Sequence, residues 1–326
     1  MTSASLVLSN LTGHDSHGVV RIADYCGGLE RGELQSGVSL EVVDETASSC
    51  LADAHRGLGQ VMMPRLLSIL LAKAAGQACA TAAMRNCGHA GRLGEWVTEI
   101  AKAGMAGMVA VNDNGALRFV APPGGRRGCT STNPVAFAIP LGGDELFSVD
   151  MSTSAIAMGK VRLAYHAGRE LPAGVLQDSE GRPTNDPAVM FESPRGAVLP
   201  IGGQQGYKGF GLSMVIDLLT AGLSGGHAPP APAGAVSTNN VLVTIWNPAR
   251  FAGLGHMREQ ARQYLDFLRG SEPIVPEMPI RLAGDRAEEE HERRSRGGVP
   301  LDTATVETLR RTAERYGVSG SERIFV

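Results

Sequence analysis

Apolar residues recur along the chain at two spacings, one typical of helices and one typical of strands. Helical spacing runs through 61–75 and 95–103, and a glycine follows each stretch, as is common where helices end. The segments 78–84 and 105–111 are short apolar runs of the length expected for buried strands. Two strands separated by a helix predict a crossover unit, and with it an α/β fold.

The same spacings predict further elements on both sides of this unit. Strands are expected over 38–43, 50–53, 135–139, 147–150 and 241–246. Helices are expected over 3–11, 13–35, 151–160, 209–223, 257–268 and 302–316. The charged run 287–296 is expected to be a solvated helix face.

Composition narrows the class of protein. The chain has 326 residues, of which 43% are apolar and 19% charged, so it is globular and long enough for one large or two ordinary domains. A net charge of −3 gives no electrostatic reason to expect a nucleic-acid partner. The longest apolar stretch, 209–226, is rich in glycine and interrupted by Asp217, so no membrane span is expected. Five scattered cysteines without a CxxC pair, and no signal peptide, indicate a reducing cytoplasm.

The segment GHDSHGVVR, residues 13–21, is the strongest candidate for chemistry. Asp15 or Ser16 is expected to cap a helix, and His17 and Arg21 lie four residues apart, on one face of it. A separate face is expected to form one buried stripe, made of Val19, Ile22, Cys26 and Leu29. An imidazole beside a guanidinium suits acid–base chemistry on a small carboxylic acid.

Three other interpretations compete with acid–base chemistry in this segment: a structural histidine, a metal site and a hydrolase pair. A histidine at a helix start is often only a surface or capping residue. A metal site at His14 and His17 lacks further ligands at a suitable spacing, so no metal is expected. A hydrolase pair of Ser16 and His17 fails, because adjacent side chains on a helix diverge by about 100°.

Other segments could serve a cofactor or a substrate. A dinucleotide fingerprint GxGxxG is absent, but the glycine-rich stretch 202–209 places Lys208 at a helix start, where free N–H groups can hold a phosphate. An ordinary loop–helix turn is an equal alternative. Asp150 ends an apolar strand, as catalytic carboxylates and helix caps both do, and His89 lies in a glycine-flanked loop after a strand.

These segments together resemble one family. GHDSHGVVR followed by Tyr25, NCGHAGRLG, APPGG with STNP, VDMSTSAIAMGK, DSEGRPTNDP and LPIGG with GYKGFGL occur in the order found in the malate/L-lactate dehydrogenase family. The resemblance implies an α/β, NAD(P)-binding fold unlike the ordinary Rossmann fold, with a mixed sheet and a helical cap from both chain ends. It implies a cap and substrate or dimer part, 1–70 with 250–326, around a central cofactor-binding domain, 71–249.

The resemblance also implies roles for individual residues. His17 matches the proton donor or acceptor, and Ser16 and Asp150 match its partners in a polar relay. Arg21 matches the residue that binds the substrate carboxylate. Two further residues match substrate contacts, His89 and Thr132. Six match cofactor contacts: Asp150, Met151, Ser152, Ser154, Lys208 and Gly209.

The function implied is hydride transfer between NAD or NADP and C2 of a small 2-hydroxy or 2-oxo acid of the malate, lactate or sulfolactate kind, by a homodimer. A reductase of cyclic imine carboxylic acids is the first alternative. The second is a non-catalytic ligand-binding relative, which would be expected to lack His17, Asp150 or Lys208, and all three are present.

The chain departs from the family pattern in two places. Relatives carry a further helical segment before the SHG motif, where this chain has about a dozen residues. Either the start is misassigned or the helical cap is truncated, and a truncated cap predicts a less stable dimer. Ala90 and Arg92 replace an aromatic and a small residue of many relatives. Arg92 near the substrate would favour a second anionic group, or it would face solvent.

Overall fold

The fold is a mixed α/β architecture, seen here in a computed structural model that describes residues 1–143, 145–318 and 320. Its helices are α1 (Thr2–Leu11), α2 (Ile22–Glu30), α3 (Gly59–Gly76), α4 (Leu93–Lys102), α5 (Met158–His166), α6 (Gly206–Ser224), α7 (Leu254–Arg269), α8 (Asp285–Gly297) and α9 (Thr303–Arg315). Its strands are β1 (Glu41–Glu45), β2 (Ser49–Asp53), β3 (Cys79–Cys87), β4 (Ala106–Asp113), β5 (Val135–Gly142), β6 (Glu145–Met151), β7 (Leu176–Gln177), β8 (Pro183–Thr184), β9 (Ala197–Val198) and β10 (Asn239–Trp246).

The main sheet has the strand order β1-β2-β3-β10-β4-β5-β6. Strand β2 runs parallel to β3, and β10 runs antiparallel to both β3 and β4, so that Val243 lies opposite Ala82 on one side and Val109 on the other. Strands β3 and β4 are therefore parallel to each other, which confirms the predicted crossover unit. Strand β10, although late in the chain, is inserted between them.

Helices cover the two faces of this sheet unequally. Along β4, Val109 and Val111 pack into the core with α3 and α4, while Ala110 packs against Ile216 of α6 on the opposite face. This is the alternation expected of a strand that is covered on both sides. The far side of α6 stays exposed and carries Met214, Val215 and Leu218.

A second, smaller core lies beside the main sheet. The short strands β7, β8 and β9 form a three-stranded sheet, and α5 packs on it through Val161, which is buried together with Leu176 and Val198. The main sheet contains strands from both parts of the predicted division at residue 70, since β1 and β2 pair with β3. No helix in the described ranges is long and apolar enough to cross a membrane.

Four local predictions differ from the structure. Residues 15–21 form two short 3-10 turns, Asp15–His17 and Val19–Arg21, and the α-helix begins only at Ile22. The backbone is extended at Gly18, where Asn10 Oδ1 accepts a hydrogen bond from the Val19 amide. Neither Asp15 nor Ser16 therefore caps an α-helix.

The predicted stripe is only partly buried, and the residues of α2 that are buried are Tyr25 and Gly28. The helix predicted from 151 begins only at Met158, because the Ala155 amide and Ser154 pair with the extended segment at Leu199 and Pro200. The charged run is mostly exposed, but Arg294 within it is only 8% exposed.

Candidate active site

The segment that carries His17 is held in place by residues far away in sequence. Arg294 of α8 donates from Nη1 and Nη2 to the two carboxylate oxygens of Asp15, at 2.6 and 3.1 Å, and from Nη1 to the Asn10 carbonyl at 2.7 Å. Asn10 Nδ2 donates to the same carboxylate at 2.7 Å. These bonds satisfy a nearly buried guanidinium and fix the turn that precedes His17.

His17 lies between Ser16 and Arg21. Its Nδ1 is 3.0 Å from Ser16 Oγ, and Arg21 Nε donates to the Ser16 carbonyl at 2.7 Å. Although the segment is not an α-helix, its two turns still bring the guanidinium beside the imidazole. The second ring nitrogen of His17, Nε2, makes no hydrogen bond within the described residues.

His89 lies against His17, with ring centroids 5.4 Å apart and the rings inclined by 30°. Its Nδ1 is 2.8 Å from the hydroxyl of Tyr25, and Gln60 Nε2 donates to that hydroxyl at 2.8 Å. Because the Tyr25 oxygen accepts from Gln60, its proton is free to be donated to His89 Nδ1. If Tyr25 donates in this way, a neutral His89 carries its proton on Nε2.

Both histidines are held in the neutral form. Burial, followed by the charge of Arg21, lowers the pKa of His17 to about 3. The same two causes, with His17 as a third, lower the pKa of His89 well below its usual value. Burial and the charges of Arg92 and Arg286 likewise lower the pKa of the nearby His14 to about 4.

Asp150 lies at the end of β6, where sequence reasoning placed it, but not in hydrogen-bond contact with the histidine. Its Oδ2 accepts from the Gly94 amide at 2.7 Å, and the described contacts join it to neither Ser16 nor His17. Burial raises the pKa of its carboxyl, against the opposing effects of the Gly94 bond and the charge of Arg92. The relay implied by the resemblance is thus present between Ser16 and His17 only.

Several of the residues matched to cofactor contacts lie on two paired segments, here called the cofactor surface, in which Ser154 is itself buried. Ser152 Oγ is 3.0 Å from Ser154 Oγ, and the strand that pairs with this segment leads into the glycine-rich turn before α6. Gly209 is needed there, because a Cβ at its position would lie 2.3 Å from the Ile201 carbonyl oxygen. Lys208, in the first turn of α6, is exposed.

Thr132 and Met151 continue this surface. The Thr132 carbonyl accepts from the Thr153 amide at 3.0 Å and from its hydroxyl at 3.1 Å, and Met151 pairs with Val135 in the sheet. Next to Thr132, the side-chain amide of Asn133 donates to Asp217 Oδ2 at 2.7 Å. The charge that interrupts the apolar run of α6 therefore fixes the STNP loop.

Two supporting residues carried no recognisable signal in the sequence. Gln60, near the start of α3, and Arg294, within a run of charges, each bind a group more than thirty positions away. Tyr25 follows the SHG motif in the sequence, but its contact with His89 becomes apparent only in the fold.

The chain is similar to known proteins over nearly its whole length. A family model described as malate/L-lactate dehydrogenase matches residues 1–310. Hydroxycarboxylate dehydrogenase B of Escherichia coli O157:H7 is 33% identical over 317 residues, covering 96% of this chain and 86% of the relative. The Delta(1)-pyrroline-2-carboxylate/Delta(1)-piperideine-2-carboxylate reductase of Pseudomonas syringae pv. tomato is 33% identical over 307 residues, covering 92% and 85%.

Among solved structures, the sulfolactate dehydrogenase of Methanocaldococcus jannaschii superposes with a TM-score of 0.83 at 29% identity, covering 97% of this chain and 90% of that one. The matches define an α/β oxidoreductase that depends on a nicotinamide cofactor and handles hydroxy acids. The chain belongs to the malate/L-lactate dehydrogenase family. The predicted fold class and family are thereby confirmed.

Proposed function

We propose that the chain interconverts a small 2-hydroxy acid and the matching 2-oxo acid, with His17 as the group that takes up or gives the proton. The observation that carries this assignment is the difference in hydrogen bonding between two adjacent histidines. Gln60 donates to the Tyr25 oxygen, and with Tyr25 donating to Nδ1 of His89, a neutral His89 carries its proton on Nε2 and acts as a hydrogen-bond donor. No such pair fixes His17, which has only the Ser16 hydroxyl at Nδ1.

In the direction of oxidation, His17 acts as a base. With its Nδ1 proton donated to Ser16 Oγ, the lone pair of Nε2 is free to accept the proton of the substrate hydroxyl. The nicotinamide, when bound, accepts or supplies the hydride at C2. His89 donates its Nε2 proton to the same substrate oxygen and stabilises the charge that develops there.

Arg21 is the residue suited to the C1 carboxylate. Its Nε and Nη1 bond to the Ser16 carbonyl and to Asp24, at 2.7 and 3.1 Å, and its Nη2 has no partner among the described residues. A carboxylate bound there neutralises a charge that lowers the pKa of His17. Substrate binding thus raises that pKa, which makes His17 a stronger base for oxidation and increases the protonated fraction that can act as the acid in reduction.

The surface from Ser152 to Ser154, with Lys208 and Gly209, would hold the cofactor. It offers hydroxyl groups, a glycine-rich turn with Gly202 and Gly203 at positive φ, and one exposed ammonium at a helix start. We expect Lys208→Ala to weaken nucleotide binding by about 1–3 kcal/mol, the contribution of one charge-assisted bond. Calorimetry with NADH and NADPH measures it, and unchanged affinity in a folded variant would remove Lys208 from the site.

Substitution of His17 tests the central assignment. His17→Asn should lower kcat about 10²-fold or more in both directions, while calorimetry finds nucleotide affinity intact. Arg21→Lys should instead raise KM for the oxo acid with a smaller effect on kcat, because it keeps the charge and loses the fork. A His17→Asn variant that turns over near the wild-type rate would make His89 the better proton donor.

A reductase of cyclic imine carboxylic acids is the second candidate, favoured by the 33% identity to a relative with that activity. The same histidine would then deliver its proton to the substrate nitrogen. Turnover of NADH and of NADPH should be followed with pyruvate, oxaloacetate, sulfopyruvate and a cyclic imine acid. Activity confined to the imine would replace the hydroxy-acid proposal.

We also propose a homodimer in the cytoplasm. The exposed apolar side chains of α6 support burial against a second copy, and the free cysteines Cys26, Cys50, Cys79, Cys87 and Cys129 suit a reducing compartment. Sedimentation of the wild type and of Leu218→Asp tests the first point. A wild-type monomer would contradict it.

A further inference from the structure

Arg92 is a buried cation without a partner. It lies at the start of α4, is only 8% exposed, and makes no side-chain hydrogen bond or ion pair with any described residue. Its Nε is fully buried and unsatisfied. An isolated charge in such a position is destabilising. The charges of Asp150 and Glu95 act on Arg92, but neither carboxylate forms a hydrogen bond with it, so its N–H donors lack an acceptor among the described residues.

The carboxylates near Arg92 bond to other groups. Asp150 Oδ2 accepts from the Gly94 amide at 2.7 Å, and Glu95 accepts from Ser5. A Cβ at Gly94 would lie 2.4 Å from Arg92 Nη1 and 3.0 Å from Asp150 Oδ2. The absence of a side chain at Gly94 therefore leaves space for the guanidinium beside Asp150 without pairing the two.

Arg92 lies in the loop that leads from His89 into α4. Its charge acts on His14 and on His17, together with that of Lys160 on the first and of Arg21 on the second. Several cations thus converge near the two neutral histidines. One substrate carboxylate at Arg21 would leave the N–H donors of Arg92 without an acceptor among the described residues.

We propose that Arg92 binds a second anionic group of the substrate, so that the enzyme prefers dianionic 2-hydroxy and 2-oxo acids. This inference rests on the proposed function, in which Arg21 takes the C1 carboxylate. The second group is a carboxylate or a sulfonate, either of which fits the two-pronged guanidinium. Arg92 is then a specificity-determining residue in direct contact with the substrate.

Binding of unreactive acids tests this inference without turnover. Succinate and butyrate have the same four-carbon chain and differ by one carboxylate. By calorimetry, with and without NADH, the wild type should bind succinate at least about 30-fold more tightly than butyrate, the effect of one charge-assisted contact. Arg92→Met should bring that ratio within about threefold. Arg296→Met, which removes an exposed arginine of α8, is the control for net charge and should leave the ratio unchanged.

Kinetics give a second, independent measurement. In Arg92→Met, KM for oxaloacetate should rise about 30- to 100-fold, while kcat and KM for 2-oxobutanoate change less than about threefold. Sulfopyruvate compared with oxaloacetate distinguishes a sulfonate from a carboxylate as the second group. The proposal would be overturned if the wild type bound succinate and butyrate equally, or if Arg92→Met lost the same activity towards oxaloacetate and 2-oxobutanoate. Arg92 would then serve only to balance the charge of Asp150.

The melting temperature of Arg92→Met and a second variant, Arg92→Lys, show whether a loss of binding comes from the missing contact or from misfolding. Without ligand, Arg92→Met should melt near the wild-type temperature, because it removes a buried guanidinium that has no hydrogen bond but also removes the charge that acts on Asp150 and Glu95. If that variant fails to fold, Arg92→Lys keeps the charge, and its preference for succinate should fall about tenfold. A failure of the proposed role of His17 would appear as turnover in His17→Asn. The ratio of succinate to butyrate affinity does not depend on turnover, so it tests the role of Arg92 separately.

Discussion

The two histidines of the site have different kinds of support. His89 follows β3, a strand of the buried core, and its ring is fixed by Tyr25 and Gln60. His17 lies on two short 3-10 turns that are held by Arg294 from the other end of the chain. One site can thus combine two histidines with different roles. His89, fixed through Tyr25 and Gln60, suits a hydrogen-bond donor, and His17, bonded to the Ser16 hydroxyl, suits a base.

The largest expected effect concerns which histidine moves the proton. His89→Gln retains an N–H donor and should lower kcat about tenfold, whereas His17→Gln loses the base and should lower it 10²- to 10⁴-fold. Steady-state kinetics of both variants, in both directions, give the ratio. Equal losses would mean that the two rings share the proton and that the contrast between them is wrong.

The second effect concerns the long-range support of His17. Arg294→Met leaves Asp15 and the Asn10 carbonyl without their donor, and should lower the free energy of unfolding by about 3 kcal/mol. Urea denaturation measures the loss, and kcat well below the melting temperature should fall as well. Arg293→Met is the matched control, because its exposed pair with Glu290 is screened by solvent and should change the free energy of unfolding much less. A stable but inactive Arg294→Met would show that the contact orders His17 without stabilising the fold.

The third effect is a dependence of stability on pH. His14, His17 and His89 have lowered pKa values in the folded protein, so below about pH 6.5 the unfolded chain takes up protons that the folded one refuses. The histidine contribution to the free energy of unfolding should be fully present above that pH and should decrease as the pH falls towards 5. The raised pKa values of Glu95 and Asp150 act in the opposite sense and reduce the slope.

Substitution of one histidine isolates its share of this dependence. His14→Gln should flatten the pH dependence of unfolding by about 1 kcal/mol per pH unit between pH 6.5 and 5, as chemical denaturation at several pH values would measure. An unchanged slope would mean that His14 titrates normally in the folded protein.

The smallest effect concerns the support of His89. Tyr25→Phe removes the hydroxyl between Gln60 and His89, and should cost about 1 kcal/mol of stability and about tenfold in kcat. Nitrogen NMR of the ring should then detect a mixture of tautomers where the wild type has one. Tyr264→Phe, at an exposed position of α7, should alter none of these. A single tautomer in Tyr25→Phe would mean that another group sets the proton on His89.

Sequence reasoning succeeded where structure is local and periodic. The unit from β3 through α4 to β4 was predictable because its apolar spacing, strand length and terminal glycines agree. The segment 15–21 was not, because Asn10 and Arg294 override its helical spacing. The same applies to 152–157, whose backbone pairs with residues near Leu199. The space occupied by the Arg92 guanidinium depends on Gly94 and on Asp150, which is distant in sequence. Residue spacing along the chain does not predict such a three-residue contact.

The contact between Asp15 and Arg294 spans 279 positions of the chain. During synthesis, β10, the last strand of the main sheet, emerges before α8, so the sheet can form while the first residues still lack their anchor. The turn that bears His17 is completed only by one of the last helices made. A nascent or shortened chain without α8 would thus carry a folded core and an unformed catalytic centre, which separates the moment of folding from the onset of activity.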